Sequence, residues 1–317
     1  IRFGKKIIEV STFRSGNNAD DSLITHDNVF GTEEQDAKRR DFSINALFYD
    51  PEERALIDYV GGLKDIETKT LHAIGDATTR FKQDPVRMIR LLKFQARFGL
   101  NVEEKTKEAL IKNYKEILKS SPDRILGEVF KMLETRAKAP FFRLMTEAGF
   151  TELLFPSIYK FAKDNPVMFD YLEAADKQQI YAPDKNVALS CFLFPMLQQE
   201  IKDKYLSNNA FPHLGEIFSL SRDLVKNTLT ASFPRFPRWM RETIAFILNA
   251  QYRFTPLGPK KRSHKFKLLA HKKYPLALRF LWIRAHFDEQ SAREYAKMKQ
   301  FKRKKKLYIL NYQMCVK

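Results

Sequence analysis

Three blocks, RRDFSINALFYD, DYVGGLKD and RFKQDPVRMIR, bring Arg39, Arg40, Asp41, Asn45, Asp58, Asp65, Asp84, Arg87 and Arg90 into about fifty residues. Arginine carries a planar fork of donors that clamps phosphate oxygens in pairs, so a phosphorylated ligand is the chemistry this set can serve. The Gly61-Gly62 pair permits backbone geometry that other residues resist. A further carboxylate, Glu9, lies in the opening stretch IRFGKKIIEVSTFR. Side chains alternate along a strand, so Ile8, Val10 and Thr12 would share one face and Ile7, Glu9, Ser11 and Phe13 the other. Strands deplete acids, and a carboxylate there calls for an explanation.

The same residues admit plain structural roles. Asp84 before Pro85 reads equally as a helix cap. Arg87, Arg90 and Arg97 read as a solvated face, and Arg39 and Arg40 as surface charges. Asp58 could end a strand, Asp65 could cap a turn, and Glu9 could pair with a nearby lysine. His26-Asp27 resembles a metal-phosphohydrolase pair, but none of the six histidines has suitable ligand spacing.

The elements that would position these groups change character along the chain. Residues 1 to about 75 hold nearly all the strand signal. A strand is expected over Ile7–Phe13, followed by the polar loop SGNNADDS. Thr32-Glu33-Glu34-Gln35 fits a capping box that opens a short helix. Strands over Ile44–Tyr49 and Ala55–Tyr59 flank a turn at Asp50-Pro51-Glu52-Glu53. From about residue 84 the period becomes helical. Asp84 is the candidate N-cap, Pro85 the first helical position and Gly99 the stop. Ile89, Leu92 and Ala96 face one way, and Arg87, Arg90, Lys93 and Arg97 another. VEEKTKEALIKNYKEILKS and the stretch from Pro122 to Pro156 read as further amphipathic helices. Breaks are expected near Pro166, Pro183, Pro212 and FPRFPRW.

With 317 residues the chain can bury a sizeable core. It holds 56 Lys and Arg against 38 Asp and Glu, a net charge of +18. That excess predicts an anionic partner, nucleic acid or a membrane surface. Cys191 and Cys315 have no metal or redox spacing and read as reduced cytoplasmic thiols. No apolar run is long enough to span a bilayer, and no signal peptide is visible.

The three blocks, in this order and spacing, resemble motifs of the class II nucleotidyltransferases, the family of CCA-adding enzymes and bacterial poly(A) polymerases. RRDFSINALFYD is similar to its RRDFT-I-N-A-L block, DYVGGLKDI to D-x-x-G-G-x-x-D-L, and QDPVRMIRLLKFQARFGL to E-D-x-x-R-x-x-R. The resemblance covers residues 1–155 well and continues more weakly through the distal helices. FGKKIIEVSTFR and DNVFGTEEQDAKRRDF look closer to the poly(A) polymerases than to the CCA-adding enzymes. The fold it implies is α+β, mostly α: the C-terminal remnant of a nucleotidyltransferase α/β head over 1–75, a helical nucleotide- and RNA-binding neck over 76–155, and a helical body over 156–317.

The resemblance also implies roles. Glu9 matches a catalytic, metal-binding acid. Arg39, Arg40, Asp41 and Asn45 belong to the nucleotide site, with Arg40 and Asp41 near the triphosphate and ribose. Asp84 and Arg87 match the pair that reads the base, and Arg90 a basic residue facing phosphate. Gln83 stands where the family has Glu, which keeps an acceptor but loses the charge. The implied reaction is template-independent transfer of AMP from ATP to RNA 3′ ends, with Mg²⁺ bridging the reacting groups. The family's Gly-Gly-x-x-Arg-Asp and Asp-x-Asp elements, expected upstream of Glu9, do not occur in the eight residues before it. The expectation is therefore an N-terminally truncated chain that is catalytically poor by itself.

Lys260, Lys261, Arg262, Lys265, Lys267, Lys272 and Lys273 form a basic cluster, and Arg303 lies in a second one near the end. With Phe266, Tyr274 and Phe301 nearby, these suit single-stranded RNA. The rivals to poly(A) addition are CCA addition to tRNA and a non-catalytic RNA-binding remnant.

Overall fold

The computed structural model describes residues 1–4, 6–15, 23, 29–258 and 268–301. They pack as two units. One comprises Ile1–Glu128 with Glu147–Phe150, the other Val129–Thr146 with Thr151–Lys317. The chain is mostly helical, and its described strands are short.

In the first unit, β1 (Arg2–Phe3) and β2 (Lys6–Ile7) pair antiparallel. The strand expected over Ile7–Phe13 ends at Ile7. A strand persists only where neighbours take up its N–H and C=O groups. Here the stretch is held at its ends instead: Ile8 N donates to Ile1 O at 2.8 Å, and Gly31 N to Phe13 O at 3.0 Å.

α1 (Glu33–Arg39) carries the expected capping box: Gln35 N donates to Thr32 Oγ1 at 3.3 Å, and Gln35 Oε1 accepts from Thr32 N at 2.9 Å. Its acids occupy the first turn and its bases the last, matching the helix dipole. The strand expected from Ile44 starts later, because Ser43–Asn45 forms a single 3₁₀ turn. β3 (Leu47–Asp50) pairs with β4 (Ala55–Asp58) as an antiparallel hairpin. Asp50 Oδ1 closes its turn by accepting from Glu52 N at 2.8 Å and Glu53 N at 3.2 Å. α2 (Gly62–Glu67) follows.

β5 (Thr70–Leu71) and β6 (Asn101–Val102) are parallel, and α3 (Ala77–Gln83) and α4 (Val86–Phe98) form the crossover between them. Pro85 lacks an N–H and disfavours helical geometry in the residue before it. Asp84 accordingly leaves the helical region, at φ −143° and ψ 88°, and the helical run breaks there. Asp84 thus ends α3 and, as expected, stands before a Pro85 with helical dihedrals, φ −62° and ψ −19°, at the start of α4. Its Oδ1 still accepts from Val86 N at 3.3 Å. Gly99, at φ 63°, stops α4 as the sequence predicts. Phe42, Phe81, Met88, Ile89 and Leu92 are buried. The stretch after Val102 divides into α5 (Glu104–Asn113) and a 3₁₀ turn over Tyr114–Lys119. α6 (Pro122–Leu133) comes next.

The second unit is helical: α7 (Lys138–Glu147), α8 (Phe150–Leu154), α9 (Pro156–Asp164), α10 (Val167–Lys177), α11 (Lys185–Lys204), α12 (Leu214–Thr230), α13 (Arg238–Phe254) and a helix over Tyr274–Arg284. Pro166, Pro183, Pro212 and Pro237 precede helices, as expected of residues suited to starts. Pro195 is different, since α11 runs straight through it. The core is rich in phenylalanine, with Phe142–Phe192 at 4.6 Å and Phe194–Phe280 at 5.3 Å between ring centroids. Among the described residues, no helix is long and apolar enough to cross a membrane.

Candidate nucleotide-binding site

Asp41 follows α1 directly, and α4 places Arg87 and Arg90 on one face, three residues apart. The two arginines converge on it. Arg87 Nε donates to Asp41 Oδ1 at 2.8 Å, and Arg90 Nη1 to Asp41 Oδ2 at 2.6 Å. Burial works against the Asp41 charge, but the Arg90 and Arg87 guanidiniums outweigh it and hold the carboxyl below its usual range. Burial likewise opposes the Arg90 charge, and Asp41, Asp84 and Glu128 together hold its pKa above the ordinary value.

The network extends in both directions. Arg90 Nε donates to Glu128 Oε1 on α6 at 3.3 Å, and Lys93 Nζ bonds the other oxygen of Glu128. Arg124, also on α6, donates from Nη2 to Asp84 Oδ2 at 2.9 Å, with Arg90 Nη1 3.9 Å from the same oxygen. Arg80 on α3 donates to the carbonyls of Arg39 and Arg40. Arg87 Nη1 donates to Arg80 O at 3.1 Å. Arg80 is largely buried with its Nε unbonded, and burial and then the nearby Arg87 charge bring its pKa down to about 10. In this cluster Arg87, Arg90, Lys93 and Arg124 pair with Asp41, Asp84 and Glu128, while Arg80 donates to backbone carbonyls. Five cations against three carboxylates leave positive charge for an anionic ligand.

Arg39 and Arg40 are gripped by one acid, the buried Asp36. Arg39 Nε donates to its Oδ1 at 2.8 Å, and Arg40 Nη2 to its Oδ2 at 2.6 Å. The glycine pair explains itself in this setting. Gly61 sits at φ 81°, and a Cβ on Gly62 would lie 2.3 Å from Ser43 O. Asp58 accepts from the backbone N–H groups of Val60, Gly61, Gly62 and Leu63 at 2.9–3.1 Å. Burial opposes its charge, but those four donors keep the carboxyl below the usual range. Asp65 accepts from Ser43 Oγ. Asn45 lies half-buried in the 3₁₀ turn beside these groups.

The structure therefore brings Asp41, Asp84, Arg87 and Arg90 together, ties Arg39 and Arg40 to them through Arg80, and leaves Glu9 exposed and apart. The plain reading of Arg87 and Arg90 as a solvated face fails, since Arg87 is only 6% exposed. Asp36, Arg80, Arg124 and Glu128 were not foreseen. The partners of Arg80, Arg124 and Glu128 lie about forty residues away, and no local spacing reveals them. Asp36, by contrast, stands three and four residues before Arg39 and Arg40, a helical spacing that could have found it. Among the described residues no group of three or more His, Cys, Asp or Glu side chains could hold a metal ion. The described carboxylates do not fit a Mg²⁺ cage: Asp41, Asp84, Asp58 and Asp65 are committed to protein donors, and Glu9 stands alone.

Of the expected RNA-binding residues, Lys260, Lys261, Arg262, Lys265, Lys267 and Arg303 lie outside the described residues. Lys272 and Lys273 lie just before the Tyr274–Arg284 helix. Tyr274 is not free to stack on a base. It is buried in an apolar cluster with Phe254 and Leu278.

Residues 1–72 match the family model described as the poly A polymerase head domain, and residues 99–161 the one described as a probable RNA- and SrmB-binding site of polymerase A. Poly(A) polymerase I of Haemophilus influenzae is 39% identical over 169 residues, covering 50% of this chain and 37% of the relative. Poly(A) polymerase I of Escherichia coli O6:H1 is 28% identical over 311 residues, covering 92% of this chain and 65% of the relative. The chain thus spans less than two thirds of either relative, 37% and 65%. The solved CCA-adding enzyme of Bacillus stearothermophilus, in complex with CTP, shares the fold, with a TM-score of 0.59 at 20% identity over 90% of this chain and 63% of that one.

Proposed function

We propose that this chain, whose residues 1–72 match the poly A polymerase head domain and 99–161 the probable RNA- and SrmB-binding site of polymerase A, is a nucleotidyltransferase of the kind that includes poly(A) polymerase I and the CCA-adding enzymes, and that it serves template-independent addition of AMP from ATP to RNA 3′ ends. The observation that carries the reading is the hold of Asp41 on Arg87 and Arg90, at 2.8 and 2.6 Å, inside a cluster with surplus positive charge. In this reading Asp41 fixes both guanidiniums before a nucleotide arrives, so little ordering cost falls on binding. Arg87 spends Nε on Asp41 and Nη1 on Arg80 O, which leaves Nη2 for the edge of a base. Arg124 holds Asp84 as the second reader of that edge. Arg39, Arg40 and Arg90 face the phosphates.

Mg²⁺ belongs to the proposal as the metal of nucleotidyl transfer, where it neutralises charge on the phosphates. Of the acids singled out above, Glu9 is the one without a cationic partner or donor among the described residues, and one carboxylate does not make a Mg²⁺ site. No step is assigned through it.

The test is equilibrium binding of ATP and CTP to the 317-residue chain, followed by the Asp41→Asn variant. Preferential ATP binding that weakens in the variant supports the reading. Tighter CTP than ATP binding would move it to CCA addition, and no nucleotide binding at all would overturn it.

A further inference from the structure

The second unit carries a charged cleft that lies outside both matched segments. Ser219, Arg222, Asp223 and Lys226 on α12 and Arg241 and Glu242 on α13 line a cavity of about 210 Å³. We propose that this cleft is a docking point for the single-stranded RNA substrate, with Lys226 and Arg241 taking a backbone phosphate and Trp239 stacking on an adjacent base. The proposal rests on the tailing reading above.

Charge commitments within the cleft are uneven. Arg222 pairs with Glu242 at 3.6 Å and lies over the Phe218 ring at 5.8 Å. Asp223 accepts from Ser219 Oγ at 3.4 Å. The Lys226 ammonium and the Arg241 guanidinium have no partner among the described residues, and Arg241 Nε is buried without a hydrogen bond. A buried donor left unpaired is costly unless a ligand satisfies it. Both carboxylates therefore have partners within the cleft, while two of its three cations do not.

Size selects the kind of anion. Pockets that enclose whole small molecules begin near 300 Å³. At about 210 Å³ this cleft suits a group carried on a polymer better than a free nucleotide. Aromatic surface lies beside it. Trp239, one turn before Glu242 on α13, is 58% exposed, and Phe218, one turn before Arg222 on α12, is 37% exposed. Single-stranded nucleic acid is held by this pairing of phosphate-binding cations with aromatic faces.

A basic segment packs on the same helix that lines the cleft. His271 stacks on Phe246 of α13 at 4.0 Å, which seats residues 271–273 against that helix. Lys273 lies near enough to Glu242 to feel its charge. Lys272 and Lys273, expected from sequence to meet RNA, thus lie on a segment seated against α13, one of the two helices that form the cleft.

The experiment is binding of a fluorescent oligo(A) to the full 317-residue chain across a salt series. Lys226→Gln/Arg241→Gln and Trp239→Ala are compared with Lys297→Gln/Lys299→Gln, which removes the same charge elsewhere. Thermal midpoints check that each variant folds. Loss of two phosphate contacts lowers the salt slope by about 1.4, at about 0.7 per contact. Affinity is expected to fall roughly tenfold in the cleft double variant and in Trp239→Ala. Equal losses in the control double variant, or an unchanged slope in the cleft variant, would overturn the cleft while leaving RNA binding intact. Absence of oligo(A) binding by the unmodified chain would instead overturn the tailing reading on which the cleft rests.

Discussion

Arg90 reaches Asp41 with Nη1 at 2.6 Å while the neighbouring Nε of the same guanidinium reaches Glu128 at 3.3 Å. One side chain thereby joins the loop after α1 to α6. The residue is less a surface cation than a bracket whose two ends are fixed by opposite charges.

Asp41→Asn should expose how far the bracket depends on its acid. Removing one partner of a largely buried ion pair leaves the other charge without compensation, at a cost of about 3 kcal/mol. A lower urea midpoint and weaker ATP binding are expected together. An unchanged midpoint would show that Arg87 and Arg90 are held by other means.

Acid should act through the same carboxylate. The folded pKa of Asp41 lies below its ordinary 3.8. A depressed carboxylate contributes stability that is complete above the ordinary value and is lost as pH falls through the folded one. Stability measured between pH 5 and pH 2 should therefore drop less steeply in Asp41→Asn than in the unmodified chain. Parallel curves would refute the assignment.

The two adjacent glycines should differ in tolerance. Alanine at Gly61 must adopt φ 81°, a cost of about 1 kcal/mol with nothing within 4 Å to meet its Cβ. Alanine at Gly62 places its Cβ 2.3 Å from a backbone oxygen, and forced overpacking costs about 2–3 kcal/mol. Thermal midpoints of the two variants should rank in that order.

Arg124→Ala separates ligand binding from stability. Arg124 is 49% exposed, so its pair with Asp84 contributes under about 1 kcal/mol to folding. Releasing Asp84 should still weaken ATP binding about tenfold, or about 1.4 kcal/mol, because the carboxylate loses its fixed orientation. A large fall in thermal midpoint with unaltered ATP affinity would reverse this assignment.

Local chemistry was legible in the sequence wherever one short stretch decides it. Thr32 and Gln35 announce the start of α1, Gly99 the end of α4, and Pro85 the break before it. The strand over Ile7–Phe13 was misjudged because alternation records which faces match, while a strand also needs a neighbour for its backbone. Asp41, Arg87 and Arg90 were named from their blocks. Their mutual grip was not, since Asp41 and Arg90 are 49 positions apart. Tyr274 was misread for a related reason. An aromatic residue among lysines looks available until the helix face that buries it is known.

The contact between Gly62 and Ser43 O has a consequence for exchanging parts between relatives. The arginine block and the glycine block interlock there, and the Ser43 hydroxyl also bonds Asp65. They are two stretches of sequence but one mechanical part. A chimera that imports either block alone would bring a foreign surface against a backbone oxygen with no slack to receive it. A graft that carries residues 39–65 as one piece would keep both halves of the joint.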